Sequence, residues 1–276
     1  MRRQRHPSGP RPLKELGQHF LIDEEAASNI VASMKLRWEE RALEIGPGRG
    51  VLLRFLLKQS HQVTAVELDA RLCKPLQKTF GGHPGLELVF GDFLQFDLQN
   101  YISQDDSPVK LVGNIPYSLS SPILFRLFEV ATELQGRDVF SLKSATLMLQ
   151  REVAERICAD PGDRACGAIT ILRSLVADAE LLFNLPPSAF LPPPKVTSSV
   201  IRLKILPKAR CEIADRPRFG ELVQHVFKQR RKMLKNSLGG LPWLIPDWQR
   251  VDFDFTRRPE ELSLGEFVQL FDLIHP

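Results

Sequence analysis

Between residues 41 and 149 the chain alternates short apolar runs with stretches whose apolar residues recur at helical spacing. The apolar runs predict buried strands, and they are Arg41–Ile45, Gln62–Glu67, Leu86–Phe90, Val109–Gly113 and Ala145–Leu149. Helical spacing covers Leu52–Lys58 and Ser121–Leu134, where Pro122 suits a first helical turn. Strands that alternate with helices predict a mostly parallel sheet with helices on both faces.

Two later β-rich runs follow the same pattern. They are Ala179–Phe183 and Val196–Ile205, on either side of a proline cluster at Pro186–Pro194. We predict that both runs extend the first sheet.

The pattern changes after residue 206. Arg218–Leu238 and Pro259–Ile274 have the apolar spacing of helices. The predicted organisation is therefore a basic arm at residues 1–14, an α/β domain at 15–206 and a small all-helical domain at 207–276.

Composition narrows the class of protein. Of the 276 residues, 43% are hydrophobic and 25% are charged, which excludes disorder over most of the chain. No apolar run approaches the length of a membrane helix, so a soluble protein is expected. The four cysteines form no C-x-x-C pair, which predicts free thiols in a reducing compartment and no metal site; they are Cys73, Cys158, Cys166 and Cys211.

The net charge of +4 is unevenly distributed. Residues 1–14 carry five cations and no acid, namely Arg2, Arg3, Arg5, Arg11 and Lys14. Residues 228–235 do the same with Lys228, Arg230, Arg231, Lys232 and Lys235. Two concentrated basic segments are typical of a protein that binds polyanions. A solvated tail and a solvated helix face would give the same charge pattern. The arm lacks the apolar core of a secretory signal and contains prolines that disfavour a transit helix, so we expect a cytoplasmic protein.

A glycine-rich loop follows the first predicted strand. The segment Glu44–Gly50 has glycine at positions 46, 48 and 50, which lets the backbone turn sharply and approach a ligand. Such a loop is a weak signal alone, because a strand-to-helix turn can need glycine for its own geometry. The G-x-G-x-G spacing departs from the G-x-G-x-x-G of NAD-binding loops, and S-adenosylmethionine, which has no pyrophosphate, fits it better.

Acidic residues end the next two strands. Glu67 stands where a carboxylate accepts hydrogen bonds from the ribose hydroxyls of a nucleotide-like ligand. Asp92 follows the third strand, where a short carboxylate is able to bond an adenine amino group. One loop and two acids at successive strand ends predict an adenosine-bearing ligand at this edge of the sheet.

The segment Asn114-Ile115-Pro116-Tyr117 follows the fourth strand. The Asn114 side-chain oxygen and the Ile115 carbonyl, held extended by Pro116, offer two acceptors for one exocyclic amine. Two acceptors favour a pyramidal nitrogen whose lone pair points at a methyl donor. Tyr117 offers a ring on which the target base stacks. The pattern predicts methyl transfer to an aromatic amine without a general base, catalysed mainly by positioning and electrostatics.

These motifs together resemble the bacterial small-subunit ribosomal RNA adenine N6,N6-dimethyltransferases of the KsgA type. The resemblance covers nearly the whole chain after the arm, in the blocks Gly17–Leu21, Glu44–Gly50, Glu67, Asp92, Asn114–Tyr117, Ser120–Leu124, Phe190–Val196, Phe227–Lys232 and Asn236–Leu238. Two departures stand out. His19 replaces the usual Asn of the first block, and Ala165-Cys166-Gly167 occurs between Asp163 and Ala168, where the family often has a Tyr before the glycine.

The resemblance implies a Rossmann-like class I methyltransferase sheet, S-adenosylmethionine as cofactor, and four methyl transfers to two adjacent adenines near the 3′ end of 16S RNA. It implies cofactor contacts for His19, Leu21, Gly46, Gly48, Glu67, Asp92 and Asn114. It also implies that Phe190 sandwiches the flipped adenine against Tyr117, and it places Lys195 with the RNA-binding residues. The expected partner is 16S RNA in an assembling 30S subunit, and a monomer is the default expectation.

The basic segment at residues 228–235 is predicted to lie on a helix. Val223, Val226, Phe227, Met233 and Leu234 are predicted to pack inward, while the cations form a broad RNA-binding surface. Two alternatives stay open. One is the related 23S-directed resistance methylase, which shares the catalytic motifs, and the other is a noncatalytic RNA- or DNA-binding factor that has kept the fold.

Overall fold

The five predicted strands between residues 41 and 150 lie in one sheet in the computed structural model, which describes residues 10, 17–136, 140–245 and 247–275. The strands are β1 (Phe20–Leu21), β2 (Arg41–Ile45), β3 (Gln62–Glu67), β4 (Leu86–Phe90), β5 (Val109–Asn114), β6 (Leu142–Gln150), β7 (Ala177–Leu185), β8 (Phe190–Leu191) and β9 (Ser198–Ile205). The α-helices are α1 (Glu24–Ser33), α2 (Leu53–Leu56), α3 (Ala70–Phe80), α4 (Leu98–Ser103), α5 (Ser120–Leu134), α6 (Arg151–Cys158), α7 (Ala168–Val176), α8 (Arg216–Lys228), α9 (Leu234–Ser237) and α10 (Leu264–Ile274).

The main sheet has the strand order β4-β3-β2-β5-β6-β9-β7. The first five are mutually parallel, and β9 runs antiparallel to both β6 and β7. The predicted doubly wound α/β sheet is confirmed, and so is its extension by the two later β-rich runs. A second, two-stranded sheet pairs β1 with β8.

Helices cover both faces of the main sheet. Successive residues of a strand point to opposite faces, so each central strand packs against helices on both sides. In β2, Ala42 belongs with Ile30 of α1 to the core cluster on one face, while Leu43 belongs with Leu127 of α5 to the core cluster on the other face. All four residues are buried. The uninterrupted apolar runs in the sequence follow from this burial on two sides.

The strand register sets the position of the site. Ile45 of β2 is opposite Val66 of β3 and Gly113 of β5. The residues that follow these three strands therefore emerge at one edge of the sheet. Gly46, Glu67 and Asn114 are brought together by this alignment, although many residues separate them along the chain.

The predicted helix over Arg218–Leu238 is wrong as a single element. Helix α8 ends at Lys228, and Arg230, Arg231 and Lys232 lie in a turn before the short α9. The backbone N–H groups of Leu234 and Lys235 donate to the carbonyls of Arg257 and Phe255, at 2.8 and 3.0 Å, instead of continuing the helical ladder. Met233 is consequently 40% exposed, contrary to its predicted inward packing.

The other predicted apolar contacts of this region hold. Val223, Val226 and Leu234 are fully buried, and Phe227 is partly buried and stacks on Phe267. Residues after β9 form only helices and turns within the described ranges, and their apolar side chains join the core cluster on one face of the sheet. The helical C-terminal region is present as predicted.

The basic arm at residues 1–14 lies outside the described residues except for Pro10, whose carbonyl accepts a hydrogen bond from Arg49 at 3.2 Å. All four cysteines are free. Over the described ranges, the helices include none with both the length and the apolar character needed to span a membrane.

Candidate active site

A cleft lies at the carboxyl edge of the sheet, with about 660 Å³ of open space that includes its mouth toward solvent. Four segments form its walls: the Gly17–Leu21 segment, the glycine loop with Val51 and Leu52, Glu67 at the end of β3, and Asn114–Tyr117 from the last residue of β5 onward. The sequence predicted that these segments would share a site, and the tertiary structure brings them together.

The glycine loop uses its glycines for two different reasons. Gly46, Gly48 and Gly50 all have positive φ, at +67°, +59° and +75°, a region that other residues rarely adopt. A Cβ on Gly50 would lie 2.4 Å from the Phe80 ring, so packing excludes a side chain there. A Cβ on Gly46 would meet nothing within 4 Å. Gly46 therefore leaves open room beside the cleft, which a closely approaching ligand is able to fill.

Glu67 holds the loop in place. Its Oε2 accepts the Gly48 N–H at 2.9 Å and its Oε1 accepts the Asp69 N–H at 2.7 Å. Burial raises the pKa of this carboxyl, since only 5% of the residue is exposed, and the two N–H bonds oppose that shift. A carboxylate has about four acceptor positions. The Glu67 carboxylate therefore keeps acceptor capacity for ribose hydroxyls.

Glu44 is a second acid on the cleft wall. It is 1% exposed, and its Oε2 has no hydrogen-bond partner among the described residues. Burial, assisted by the charge of Glu67, raises the pKa of Glu44 to about 8. Glu44 begins the Glu44–Gly50 block but was not predicted as a site residue. Its signal was a carboxylate in a buried strand, which is costly unless a ligand or partner contacts it.

The Asn114–Tyr117 segment is held by contacts from other parts of the chain. Asn114 Nδ2 donates to the His19 carbonyl at 2.7 Å. The Ile115 N–H donates to the Met148 carbonyl at 3.3 Å, and Pro116, which follows Ile115, has φ −55° and ψ 133°.

Tyr117 begins a short 3₁₀ turn that leads into α5. Its hydroxyl bonds the Ser198 hydroxyl at 2.7 Å. Burial raises the pKa of Tyr117, so its hydroxyl stays neutral around pH 7. The ring lines the cleft and is thereby available as a stacking surface.

His19 and Leu21 lie on and beside β1. Leu21 is 4% exposed and is opposite Phe190 of β8. The His19 ring bonds through Nδ1 to the Pro192 carbonyl at 2.7 Å and lies 5.5 Å from the Tyr117 ring. Both residues line the cleft.

Two predicted site residues do not line the cleft. Asp92 follows β4, and its Oδ1 accepts the Leu94 N–H at 2.9 Å in a local turn. Phe190 is 2% exposed and belongs to the core cluster on the α1 face of the sheet. The contact of Asp92 with the cofactor adenine and the contact of Phe190 with the target adenine stay predictions.

Of the predicted RNA-binding residues, Lys195, Lys228, Arg231, Lys232 and Lys235 are exposed. Arg230 differs from them. Its Nη2 donates to the Arg164 carbonyl at 2.6 Å, and its Nε lies 3.7 Å from Glu260 Oε2. Arg230 thus ties the 160–167 loop to the helical region, which reduces its availability for phosphate.

Two further cleft residues were not predicted as site residues. Gln18 Nε2 donates to Asp69 Oδ2 at 3.0 Å, which ties the Gly17–Leu21 segment to the end of β3. The Arg49 guanidinium lies over the Phe20 ring at 4.8 Å. Gln18 belongs to the first matching block and was identifiable from it, whereas nothing in the local pattern indicates the stacking of Arg49.

The residues present fit S-adenosylmethionine. The room beside Gly46 suits close approach of its methionine portion to the backbone, and Glu67 has free acceptor positions for a ribose. The unpartnered Oε2 of Glu44 provides an acceptor for a cationic ligand. The acceptors on the cleft wall therefore suit a nucleoside that also carries positive charge.

Comparison with known proteins gives the following relatives. Residues 12–245 match the family described as "Ribosomal RNA adenine dimethylase". "Ribosomal RNA small subunit methyltransferase A" of Acaryochloris marina is 37% identical over 271 residues, covering 97% of this chain and 98% of that protein. The protein of the same name from Geobacter sulfurreducens is 39% identical over 269 residues, covering 95% of each.

Two solved structures share the fold. A dimethyladenosine transferase from Plasmodium falciparum superposes with a TM-score of 0.72 at 26% identity, covering 93% of this chain and 99% of that one. The 23S rRNA methyltransferase ErmE superposes with a TM-score of 0.65 at 26% identity, covering 92% and 99%.

Proposed function

This chain belongs to the ribosomal RNA adenine dimethylase family, and on that premise we propose that it dimethylates N6 of two adjacent adenines in the 3′-terminal hairpin of 16S RNA. The observation that carries the proposal is the shared cleft of the glycine loop, Glu67 and Asn114–Tyr117. The relatives from Acaryochloris marina and Geobacter sulfurreducens are named for the small subunit, which favours 16S over 23S RNA.

S-adenosylmethionine supplies an electrophilic methyl group when it is bound. The chain's own contribution on this side is binding and orientation. Glu67 accepts the ribose hydroxyls with the acceptor positions that Gly48 and Asp69 leave free. The backbone around Gly46 approaches the methionine portion, and Glu44 faces its positive charge.

Asn114 acts on the target amine. Because its Nδ2 is used by the His19 carbonyl, its Oδ1 is the acceptor that remains for an N–H of the adenine N6 amine. We assign the Ile115 carbonyl to the second N–H. With the amine held by these two acceptors, its lone pair would point at the methyl group that bound S-adenosylmethionine would supply, the methyl–sulfur bond breaking as the N–C bond forms. The nitrogen afterwards loses its extra proton to water, so that no side chain has to act as a base.

Tyr117 provides the platform for the flipped adenine, and base–aromatic stacking contributes about 1–3 kcal/mol. We assign the opposite wall to Phe190, as the family resemblance implies. In the present structure its ring is buried beside Leu21. Stacking by Phe190 therefore requires its side chain to rotate out of this packing when RNA binds.

The exposed cations of the C-terminal region provide the grip on phosphates. Lys228, Arg231, Lys232 and Lys235 are exposed there, and Lys195 is exposed beside the proline-rich segment. We propose that this surface binds folded 16S RNA in an assembling 30S subunit in the cytoplasm, and that the protein acts as a monomer.

The test is methyl transfer from labelled S-adenosylmethionine to undermethylated small subunits and, in parallel, to large-subunit RNA. Mass spectrometry of the digested RNA identifies the modified base and its position. Dimethyladenosine in the 16S 3′ hairpin supports the proposal. Label confined to 23S RNA would indicate a 23S rRNA methyltransferase, the activity in the name of ErmE. RNA binding without any label would indicate a noncatalytic RNA-binding factor.

A further inference from the structure

His19 makes three contacts that link the β1 segment to the catalytic motif and to the proline-rich segment. Its carbonyl accepts Asn114 Nδ2 at 2.7 Å, its ring Nδ1 bonds the Pro192 carbonyl at 2.7 Å, and its ring lies 5.5 Å from that of Tyr117, tilted by 33°. The resemblance implies only a cofactor contact for this position. The observed contacts are made to the residues on the target side of the cleft.

The carbonyl contact determines which end of the Asn114 amide faces the target. A carbonyl only accepts, so the NH₂ end of Asn114 has to point to His19. The Oδ1 end is then the one left for an amine. The proposed contact with the target amine depends on the orientation of the Asn114 amide. A shift of the backbone at residue 19 would therefore leave that amide free to turn.

The ring contact fixes a different segment. Since the Pro192 carbonyl also only accepts, Nδ1 of His19 carries the proton and donates it. This bond spans 173 positions of sequence and joins the β1 segment to the proline-rich segment after β8. Phe190, the assigned second wall for the base, lies only two residues before Pro192.

The same ring supports Tyr117. The Tyr117 hydroxyl is held by Ser198, and its ring is in contact with His19, so the platform is restrained at two points. Restraint of a stacking surface lowers the entropy lost when the base docks. His19 thus lies between the Asn114 amide, the Tyr117 platform and the segment that carries Phe190.

We propose that His19 is a positioning residue for the target adenine, acting through Asn114, Tyr117 and Pro192. The inference rests on the proposed methyl transfer but not on the identity of the RNA. Loss of the His19 ring should impair use of the RNA substrate while the protein still binds its cofactor nearly normally.

The experiment compares His19→Ala, His19→Asn and His19→Phe with His61→Ala. His61 is a matched control, because its Nδ1 also bonds a backbone carbonyl, that of Trp38 at 2.7 Å, and its ring also lies near an aromatic ring, yet it does not line the cleft. Cofactor Kd is measured by calorimetry. KM and kcat are measured with whichever ribosomal RNA the unaltered protein methylates, so a wrong RNA assignment does not affect this comparison.

For His19→Ala we expect kcat/KM for RNA to fall by about tenfold, the scale of one lost hydrogen bond, with cofactor Kd changed by less than about threefold. His19→Asn keeps a donor for the Pro192 carbonyl and should recover kcat/KM to within about threefold. His19→Phe keeps a ring but no donor and should not recover it.

Three results would overturn the proposal. A rise in cofactor Kd as large as the loss in kcat/KM would make His19 a cofactor contact only. Recovery of kcat/KM by His19→Phe but not by His19→Asn would show that the hydrogen bond to the Pro192 carbonyl does not account for the loss. An equal loss in His61→Ala would show a general effect of removing a histidine. If His19→Ala does not fold, the Asn and Phe variants still decide the question.

Discussion

Glu44 and Glu67 bring two buried carboxyl groups to one wall of the cofactor cleft. They lie on the neighbouring parallel strands β2 and β3, and the charge of Glu67 adds to burial in raising the pKa of Glu44 to about 8. A cation bound between them lowers both pKa values, because it stabilises the charged carboxylates.

We therefore expect the affinity for S-adenosylmethionine, a sulfonium cation, to rise between pH 6 and about pH 8, with release of a proton on binding. Calorimetry in two buffers of different ionisation enthalpy measures the proton count. Glu44→Gln should abolish most of the pH dependence. S-adenosylhomocysteine, which lacks the sulfonium charge, serves as the control ligand, and equal proton release with both ligands would contradict the assignment to the sulfonium.

The same pair makes stability without cofactor depend on pH. The folded protein holds the Glu44 proton up to about pH 8, whereas the unfolded chain releases it near the ordinary glutamate pKa of 4.5. The folded state thus binds more protons between these values, and the free energy of unfolding falls as pH rises through them. Thermal melts should show Glu44→Gln gaining stability relative to the unaltered protein at pH 8 but not at pH 4.5. A pH-independent difference would be inconsistent with titration of Glu44.

Asn114→Ala should lower kcat by about 10²–10³-fold, the scale for removing one transition-state hydrogen bond. Cofactor affinity should fall much less, because the proposed partner of the Asn114 amide is the target amine. Single-turnover methylation and calorimetry separate the two effects. Asn100→Ala, on the exposed side of α4, is the matched control. Retained turnover in Asn114→Ala would exclude Asn114 from the reaction.

Glu67→Ala should weaken cofactor binding by about 1–3 kcal/mol, the scale for hydrogen bonds to a charged acceptor. Part of this loss comes from the Gly48 N–H, which loses its partner. Glu87→Ala on the adjacent strand β4 is the control, since Glu87 accepts a hydrogen bond from the Thr64 hydroxyl at 3.1 Å and lies outside the cleft. Unchanged affinity in calorimetry would refute the assignment to the ribose.

Arg231→Ala combined with Lys232→Ala should raise the RNA dissociation constant and flatten its salt slope by about 1.5, since each phosphate contact contributes about 0.7–0.9. Arg230→Ala should change the slope less, because Arg230 is held by the Arg164 carbonyl and Glu260. Filter binding over a range of salt concentrations measures the slopes. Lys74→Ala with Lys78→Ala on α3 is the charge-matched control, and an equal effect there would argue for nonspecific attraction.

Arg41→Met should destabilise the fold by about 2–4 kcal/mol without a direct effect on the cleft. The fully buried guanidinium donates to the carbonyls of Tyr101 and Ile102 at 2.9 and 3.0 Å, and these would lose their partner. Chemical denaturation measures the loss. Arg37→Met, whose side chain is 64% exposed, should cost less than about 1 kcal/mol, and equal losses would contradict the assigned role.

The strands and the motif positions were predictable from sequence because their signals are local. Strands β2, β3 and β4 begin and end where the apolar runs do, and β5 extends one residue further, to Asn114. Burial on both faces leaves continuous apolar segments, and parallel strands place the residues after them at one edge. The glycine loop, Glu67 and Asn114–Tyr117 therefore meet in the cleft as expected.

The end of α8 and the position of Phe190 depended on distant partners. Carbonyls at residues 255 and 257 capture the N–H groups of Lys235 and Leu234, so helical spacing alone overestimated the helix. Phe190 follows a proline-rich turn whose packing against β1 no local pattern describes.

The sequence by itself determined the α/β class, the family and the residues that meet at the carboxyl edge of the sheet, because each depends on local periodicity or on motifs of adjacent residues. Only the tertiary structure decided that Glu44 faces Glu67, that Arg230 is held by the 160–167 loop and that His19 joins Asn114 to Pro192. These relationships arise between side chains and carbonyls far apart in the chain, and burial and hydrogen bonding between such groups are set by packing.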